Sequence, residues 1–532
     1  MKLSDYVVEF LSHHVNHIFG VTGGGAMHLD DSARNLFVPM MHEQAAAIAA
    51  EAYSRISGMG AIIVTNGMGG TNAITGVAGA WCESTPMFII SGQVKRADMR
   101  GGLGVRQYGL QELDIIPMVS PITKYAVTIT DPHTIRYHME KALHLATSGR
   151  PGPVWIDIPL DVQSADIDPK KMLSFEPDYE ELPALRNEIE ATIRLINASN
   201  RPVILLGNGA RNADIISLVA LLDIPVLSTW NAMDILSHEY PLYFGSPGAV
   251  ASRGSNFIIQ NADLIISIGA RLDFTITGFD KAMFAPRAKK ILIDIDAHEL
   301  QKMPADIILC GDARTIVNKI LLNHLSIESN KRFDWIRYCN NIYSKYAIKY
   351  KWTDELPISE YDIIIPGSSG VTLDELWLSV RLKIGQRMFS TMGLGSMGFA
   401  IPSAIGACLA SGKPVLCIDG DGSFQLNIQE LETVSRLKLP IKFYYLNNGG
   451  YRSIQITQDG YFGRRVGSDF EFPNIYNIAE CYGVDITEIE MENNELPPRY
   501  RSILHDDGTQ EVNPLENMYP FLPDYELKEN ML

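Results

Sequence analysis

Long apolar runs, paired cysteines and excess positive charge are all missing from this 532-residue chain. No apolar run approaches the roughly 20 residues that span a bilayer, so a membrane helix is not expected. The start, Met1-Lys2-Leu3-Ser4-Asp5-Tyr6, has no basic segment followed by an apolar one, so no signal peptide is expected. The six cysteines, Cys82, Cys310, Cys339, Cys408, Cys417 and Cys481, are scattered without CxxC spacing. That speaks against zinc and for reduced, mostly buried thiols in a cytoplasmic protein. Lys and Arg total 45 against 62 Asp and Glu, a formal charge of −17. A chain this acidic lacks the broad basic face that nucleic acid or an anionic membrane needs.

What is present is globular. The apolar fraction is 46% and the charged fraction 20%, and the length suggests three or four domains of about 150 residues. Short apolar runs alternate with helix-length segments. Ala61–Val64, Pro86–Ile90, Val203–Leu206, Leu264–Ile268, Ile291–Ile295, Pro414–Ile418 and Ile441–Leu446 read as strands. Strands apolar on both faces belong to parallel sheets covered by helices. Polar, proline-bearing sequence near 161–183 and charged, aromatic sequence near 330–359 divide the chain. The expectation is α/β, with three doubly wound parallel-sheet domains at 1–165, 185–330 and 360–490. A Pro-rich, acidic tail follows at 491–532.

The strongest chemical signal is Gly420-Asp421-Gly422-Ser423 and, with 24 residues intervening between Gly422 and Asn447, Asn447-Asn448. A strand runs into the first cluster, a helix carries Ile428, Leu431 and Val434, and a second strand ends at the asparagines. In such a βαβ unit both clusters lie at the carboxyl ends of neighbouring strands. A carboxylate and an amide oxygen there are hard ligands suited to Mg²⁺. The N–H groups of Gly422 and Ser423 at a helix start suit a diphosphate. A tight glycine turn with no ligand is the plainer reading of the tripeptide alone.

Together these residues resemble the thiamine-diphosphate enzymes, and the resemblance to their acetolactate synthase (acetohydroxyacid synthase) branch covers nearly the whole chain. It implies that Asp421, Asn448 and the Gly450 carbonyl hold Mg²⁺ against the diphosphate. Gly370, Val371 and Thr372 fall at the spacing of another diphosphate loop. There Gly-Val-Thr replaces the family's Gly-Gln-His, so only a backbone role transfers. In Met392-Gly393-Leu394-Gly395-Ser396-Met397-Gly398, Gly395 would offer a carbonyl to the 4′-amino group. Met397 would wedge between the two thiamine rings; without the resemblance it reads as core filler.

His42-Glu43-Gln44 opens an alanine-rich helix that Gly58 should stop. By itself Glu43 is an acid placed against a helix dipole. The resemblance makes it the desolvated glutamate that hydrogen-bonds the aminopyrimidine. Asn72, in the Gly-rich Thr65–Asn72 loop, would contact the same ring; a turn-capping asparagine is the alternative. The loop Val21-Thr22-Gly23-Gly24-Gly25 resembles the one beside the thiazolium, with Val21 and Thr22 replacing Tyr and Pro. Gly24 would let the backbone approach the reacting carbon. Gln111, in Leu110-Gln111-Glu112, would face the substrate, and Lys124 matches a family lysine.

The resemblance implies decarboxylation of a 2-oxo acid, pyruvate by default, and transfer of the remaining unit to an acceptor carbonyl. A different donor or acceptor, such as a keto-sugar, is the alternative. A non-enzymatic scaffold would be expected to lack the glutamate or the metal ligands, and both are retained. One cofactor bridging two units implies a homodimer or homotetramer with the active site between subunits. The middle unit resembles an FAD domain, with Gly207, Gly209, Arg211, Gly269, Arg271, Asp294 and Asp312 as candidate contacts. Arg271-Leu272-Asp273-Phe274-Thr275 replaces the family's Arg-Phe-Asp-Asp-Arg, which weakens that expectation toward a purely structural domain. The chain also looks shortened before Asp362 and after Gly483.

Overall fold

The computed structural model describes residues 1–177, 185–328, 332–347, 351–368 and 370–490. The tail expected at 491–532 lies outside the described residues. The first sheet contains β1 (Ile18–Val21), β2 (Phe37–Pro39), β3 (Gly60–Val64), β4 (Met87–Gln93), β5 (Tyr125–Thr128) and β6 (Pro153–Pro159). The second contains β7 (Pro202–Leu206), β8 (Val226–Ser228), β9 (Leu264–Ile268), β10 (Lys289–Asp294) and β11 (Ile307–Cys310). The third contains β12 (Ile363–Pro366), β13 (Arg387–Met388), β14 (Val415–Gly420), β15 (Ile441–Asn447) and β16 (Ile486–Glu490). Their orders are β2-β1-β3-β4-β6-β5, β11-β10-β9-β7-β8 and β13-β12-β14-β15-β16. Every ladder between these strands is parallel.

Each of the seven apolar runs read as strands coincides with a strand, with Pro86, Ile295 and Pro414 just outside it, and β3, β4, β7, β9 and β14 are buried at every position. Burial on both faces is why they show no polar alternation. No helix among the described residues is long and apolar enough to cross a membrane. The six cysteines are unpaired; Cys339, Cys408 and Cys417 are buried.

Two segments differ from expectation. The stretch after Gly420 is not one helix but Asp421–Gln425, a 3₁₀ turn Ile428–Glu430, and Leu431–Leu437. Asn427 leaves helical backbone, with φ −133°, and its amide donates to the Gly398 carbonyl at 2.7 Å. The charged, aromatic sequence after residue 330 contains the helix Phe333–Lys345. It buries Trp335, Tyr338, Cys339 and Ile342 among residues of the middle sheet and its helices.

The first and third sheets share one hydrophobic core. Its seam is the helix Ala400–Ser411 against the helix Glu43–Ser57. A Cβ at Gly406 would lie 1.9 Å from the Ala49 carbonyl oxygen, so only glycine allows that approach.

β6 also carries Asp157, fully buried, accepting from Ser91 Oγ at 2.6 Å and Thr128 Oγ1 at 3.0 Å. Burial raises its carboxyl from 3.8 to about 7, against those hydrogen bonds. A folded value above the unfolded one means the folded state holds the extra proton. This carboxyl therefore stabilises the fold below pH 3.8, and that contribution is lost as pH rises through about 7. The expected result is that Asp157→Asn gains in melting temperature relative to wild type between pH 5 and 8. A difference independent of pH in that range would contradict the assignment.

Candidate active site

The turns after β12, β14 and β15 converge. The helix Gly370–Ser379 starts beyond β12, so Gly370, Val371 and Thr372 form its first turn; the Val371 and Thr372 side chains lie outside the described residues. Asp421 follows β14 and is 2% exposed. Its Oδ1 accepts from Gly422 N at 2.6 Å, and its Oδ2 from Asn448 N at 3.2 Å and Gly450 N at 2.9 Å. The carboxyl is raised by burial and lowered by these N–H groups, with a net rise. Gly449 and Gly450 carry φ of +74° and +96°, a backbone that bends the turn back onto Asp421 and that side chains resist.

One terminal atom of the Asn448 amide lies 2.7 Å from the Gly450 carbonyl oxygen and 2.8 and 3.2 Å from the Asp421 oxygens. With nitrogen inward, the amide donates to all three. With oxygen inward, four oxygens crowd one point. In an octahedral Mg²⁺ site adjacent oxygens stand about 3 Å apart. The donor set fits a hard cation that turns the amide. Among the described residues no group of three or more His, Cys, Asp or Glu is placed to hold a metal, so one carboxylate, one amide and one carbonyl are the candidate ligands.

Two expected contacts change in detail. The Gly422 N–H is spent on Asp421. The Ser423 hydroxyl donates to Asp419 Oδ2 at 2.8 Å and accepts from Gly398 N at 3.1 Å. It ties two loops together, which leaves Ser423 only a backbone role toward a diphosphate. Asp419 was not singled out by the sequence. It is fully buried under the turn, its Oδ1 accepts from Gly420 N, and burial raises it to about 8. An acid in an otherwise apolar strand was the available signal.

In the first unit Glu43 begins the helix Glu43–Ser57 and is 7% exposed. Gly58, at φ +95°, ends that helix as expected. Asn72 Nδ2 donates to Glu43 Oε2 at 3.0 Å. Thr65 and Asn66 gather the other parts. Thr65 Oγ1 accepts from Gly25 N at 3.1 Å, and Asn66 Nδ2 donates to the Gln111 carbonyl at 3.0 Å. Gly69 packs between them: its would-be Cβ lies 3.0 Å from Thr65 Cγ2 and 3.6 Å from Glu43 Oε1. Glu43, Asn72, the Gly23–Gly25 turn and Gln111 are therefore brought to one place. Thr65 and Asn66 were legible only as members of a Gly-rich loop.

Gly24 is the exposed member of its turn, and a Cβ there meets nothing within 4 Å. Gly25 is the opposite case, since its Cβ would strike Asn66 at 2.1 Å. Gly24 thus faces open space. Gln111 sits at φ +62° with its side chain exposed, and Glu112 holds the strained bend by accepting from Tyr108 N and Gly109 N. Lys124 turns away and donates to the Ser148 carbonyl at 2.6 Å.

The 392–398 loop presents Gly395 exposed at φ +67° and Met397 half-buried. Ser368 Oγ donates to the Ser396 carbonyl at 2.7 Å.

In the middle unit Gly207, Gly209 and Gly269 stand where the strand order reverses, the usual nucleotide position in such sheets. They interlock there: a Cβ at Gly207 would lie 1.9 Å from the Gly269 carbonyl oxygen. Arg211 is held by Asp234 at 2.5 Å, and Arg387 by the same carboxylate at 2.6 Å. Arg271 meets the Cys82 carbonyl and Asp273. Asp294 accepts from Asp296 N, and Asp312 caps the helix Ala313–Leu322. These side chains make contacts within the protein, and Arg271 also remains partly exposed and Asp312 exposed to solvent.

Three parallel α/β units, a buried glutamate in the first and an Asp-Asn oxygen cage in the third define a class that binds thiamine diphosphate. Residues 1–118, 189–320 and 368–512 match the N-terminal TPP binding, central, and C-terminal TPP binding domains of thiamine pyrophosphate enzymes. The chain belongs to the thiamine pyrophosphate enzyme family.

Within that family it is similar to acetolactate synthase large subunits. It is 33% identical to a probable acetolactate synthase large subunit of Methanococcus aeolicus, over 90% of this chain and 86% of that one. It is 32% identical to the acetolactate synthase large subunit of Lactococcus lactis, over 96% and 92%. It is 29% identical to the acetolactate synthase isozyme 2 large subunit of Escherichia coli, over 100% and 99%.

Proposed function

We propose that this chain decarboxylates a 2-oxo acid, pyruvate by default, and joins the remaining unit to an acceptor carbonyl, using thiamine diphosphate and Mg²⁺. The observation that carries this reading is the Glu43–Asn72 pair beside the exposed Gly24, in a chain whose third unit holds the Asp421–Asn448–Gly450 oxygen cage. Thiamine diphosphate, when bound, would supply a nucleophilic carbon for the keto group and an electron sink for decarboxylation.

The chain's residues do the rest. Asp421, Asn448 and the Gly450 carbonyl hold the metal. The first turn at Gly370 offers backbone N–H groups to the diphosphate. Asn72 fixes Oε2 of Glu43, leaving Oε1 to exchange a proton with a ring nitrogen. Gly395 and Met397 face the pyrimidine. Gly24 admits the reacting carbon, and Gln111 offers its amide to the substrate. No step needs a flavin.

The site is proposed to form between two copies of the chain. Gly393 packs on Cys82, its would-be Cβ 2.8 Å from the Cys82 Cβ. Cys82 and Asn72 are ten residues apart on one helix, about 15 Å along its axis. The 392–398 loop thus enters far from its own chain's Glu43. Met27, Met41, Met68 and Leu110 are exposed around the carboxyl ends of the first sheet, as a covered surface would require. Unpaired cysteines agree with work in the cytoplasm.

The small Val21 and Thr22 beside Gly24 favour an acceptor bulkier than pyruvate, such as a keto-sugar, as a second reading. A product screen by mass spectrometry separates the two: pyruvate alone, then pyruvate with aldehydes, ketones and keto-sugars. Acetolactate from pyruvate alone supports the first. A mixed product with a sugar and little acetolactate supports the second. No product from pyruvate, or from other 2-oxo acids offered in its place, contradicts both.

A further inference from the structure

We propose that Glu83 and Asn231 are positioning residues that set the 392–398 loop against the thiamine pyrimidine, so that the middle unit acts on the reaction through this loop. The proposal rests on the functional reading above.

The exit of this loop is held by its own unit: Gly398 N donates to Ser423 Oγ, and the Gly398 carbonyl accepts from Asn427. The entry is held by the other two units. Met392 N and Gly393 N donate to Glu83 Oε1 at 2.8 and 2.5 Å. Asn231 Nδ2 donates to Glu83 Oε2 at 2.8 Å and to the Ser390 carbonyl at 3.2 Å. Asn231 Oδ1 accepts from Ser390 N at 3.2 Å. Arg55 Nη1 adds a bond to the same Ser390 carbonyl at 3.1 Å.

The Glu83 side chain is 10% exposed and Asn231 is 8% exposed. A buried carboxylate that accepts two adjacent backbone N–H groups fixes the direction in which the chain leaves them. The tip beyond, Leu394 and Gly395, is exposed, and a Cβ on Gly395 would meet nothing within 4 Å. Its position is therefore set by the two anchored ends. Glu83 ends the same helix whose first turns carry Asn72. One rigid helix thus touches the glutamate side of one proposed site and the loop side of another.

The test uses purified full-length chain: wild type, Glu83→Gln, Asn231→Asp and the double variant. Glu83→Gln sets an amide nitrogen against Asn231 Nδ2, donor facing donor. Asn231→Asp sets carboxylate against carboxylate. The double variant restores one donor and one acceptor. Thiamine diphosphate affinity with Mg²⁺, kcat on pyruvate and melting temperature are measured on each. Each single variant is expected to lose about tenfold or more in coenzyme affinity and kcat. Glu83→Gln should change the melting temperature little, Asn231→Asp should lower it through the paired carboxylates, and the double variant should recover most of the loss in affinity and kcat. Single variants equal to wild type, or a double variant no better than the singles, would overturn the proposal. A wild type that binds no thiamine diphosphate overturns the functional reading, and this proposal with it.

Discussion

Glu43→Gln is expected to lower 2-oxo acid turnover by about 10²–10⁴-fold, the range of a positioned acid–base group. The variant should still fold and still bind thiamine diphosphate. Glutamine keeps the size of the side chain in its 7%-exposed pocket. Its Oε1 can still accept from Asn72, which now donates to Glu43 at 3.0 Å. What is lost is the exchangeable proton. A fall in kcat with little change in coenzyme affinity is the predicted split. Equal turnover in variant and wild type would remove Glu43 from the chemistry.

Asp421→Ala is expected to abolish the Mg²⁺ dependence of thiamine diphosphate binding and weaken that binding at least about 100-fold. The carboxylate accepts from Gly422 N, Asn448 N and Gly450 N. It anchors the turn as well as facing the proposed metal. Its removal leaves buried N–H groups without their acceptor, which costs about 1–3 kcal/mol each, so some loss of melting temperature is expected as well. Asp421→Asn separates the two effects: it keeps an acceptor for part of the turn and loses the charge that holds the cation. Calorimetric titration of thiamine diphosphate with and without Mg²⁺ checks both variants. Wild-type affinity in Asp421→Asn, still dependent on Mg²⁺, would move the metal elsewhere.

The parts of this molecule legible in the sequence are those where local chemistry and fold agree. β14 and β15 are apolar runs that end on Asp and Asn, so both the strands and the ligands they carry could be read together. Glu43 was legible because a helix start and an alanine run frame it. β6 was not, because Asp157 interrupts its apolar run and prolines bracket it, yet the strand is buried throughout. Its carboxyl is tolerated because Ser91, Thr128 and Gln93 donate to it. β13 has two residues, too few to show a pattern.

The contacts of the middle unit were legible only in part. Gly207, Gly209 and Gly269 have the spacing of a nucleotide site, but their missing side chains serve the close approach of two turns. Arg211 gives no sign in sequence that Asp234, 23 residues on, will hold it. Glu83 and Asn231 were invisible, since their role exists only where three units meet. Thr65 and Asn66 likewise act through partners about 40 residues away along the chain.

The central claim is that a Glu43 carboxylate and an Asp421 oxygen cage serve one thiamine diphosphate. The most direct test is CO₂ release from pyruvate by the purified full-length chain, with thiamine diphosphate and Mg²⁺ supplied together and each omitted in turn. Release that requires both, and that Glu43→Gln nearly abolishes, is the predicted result. Release that persists in Glu43→Gln, or no release with any 2-oxo acid offered, would contradict the claim.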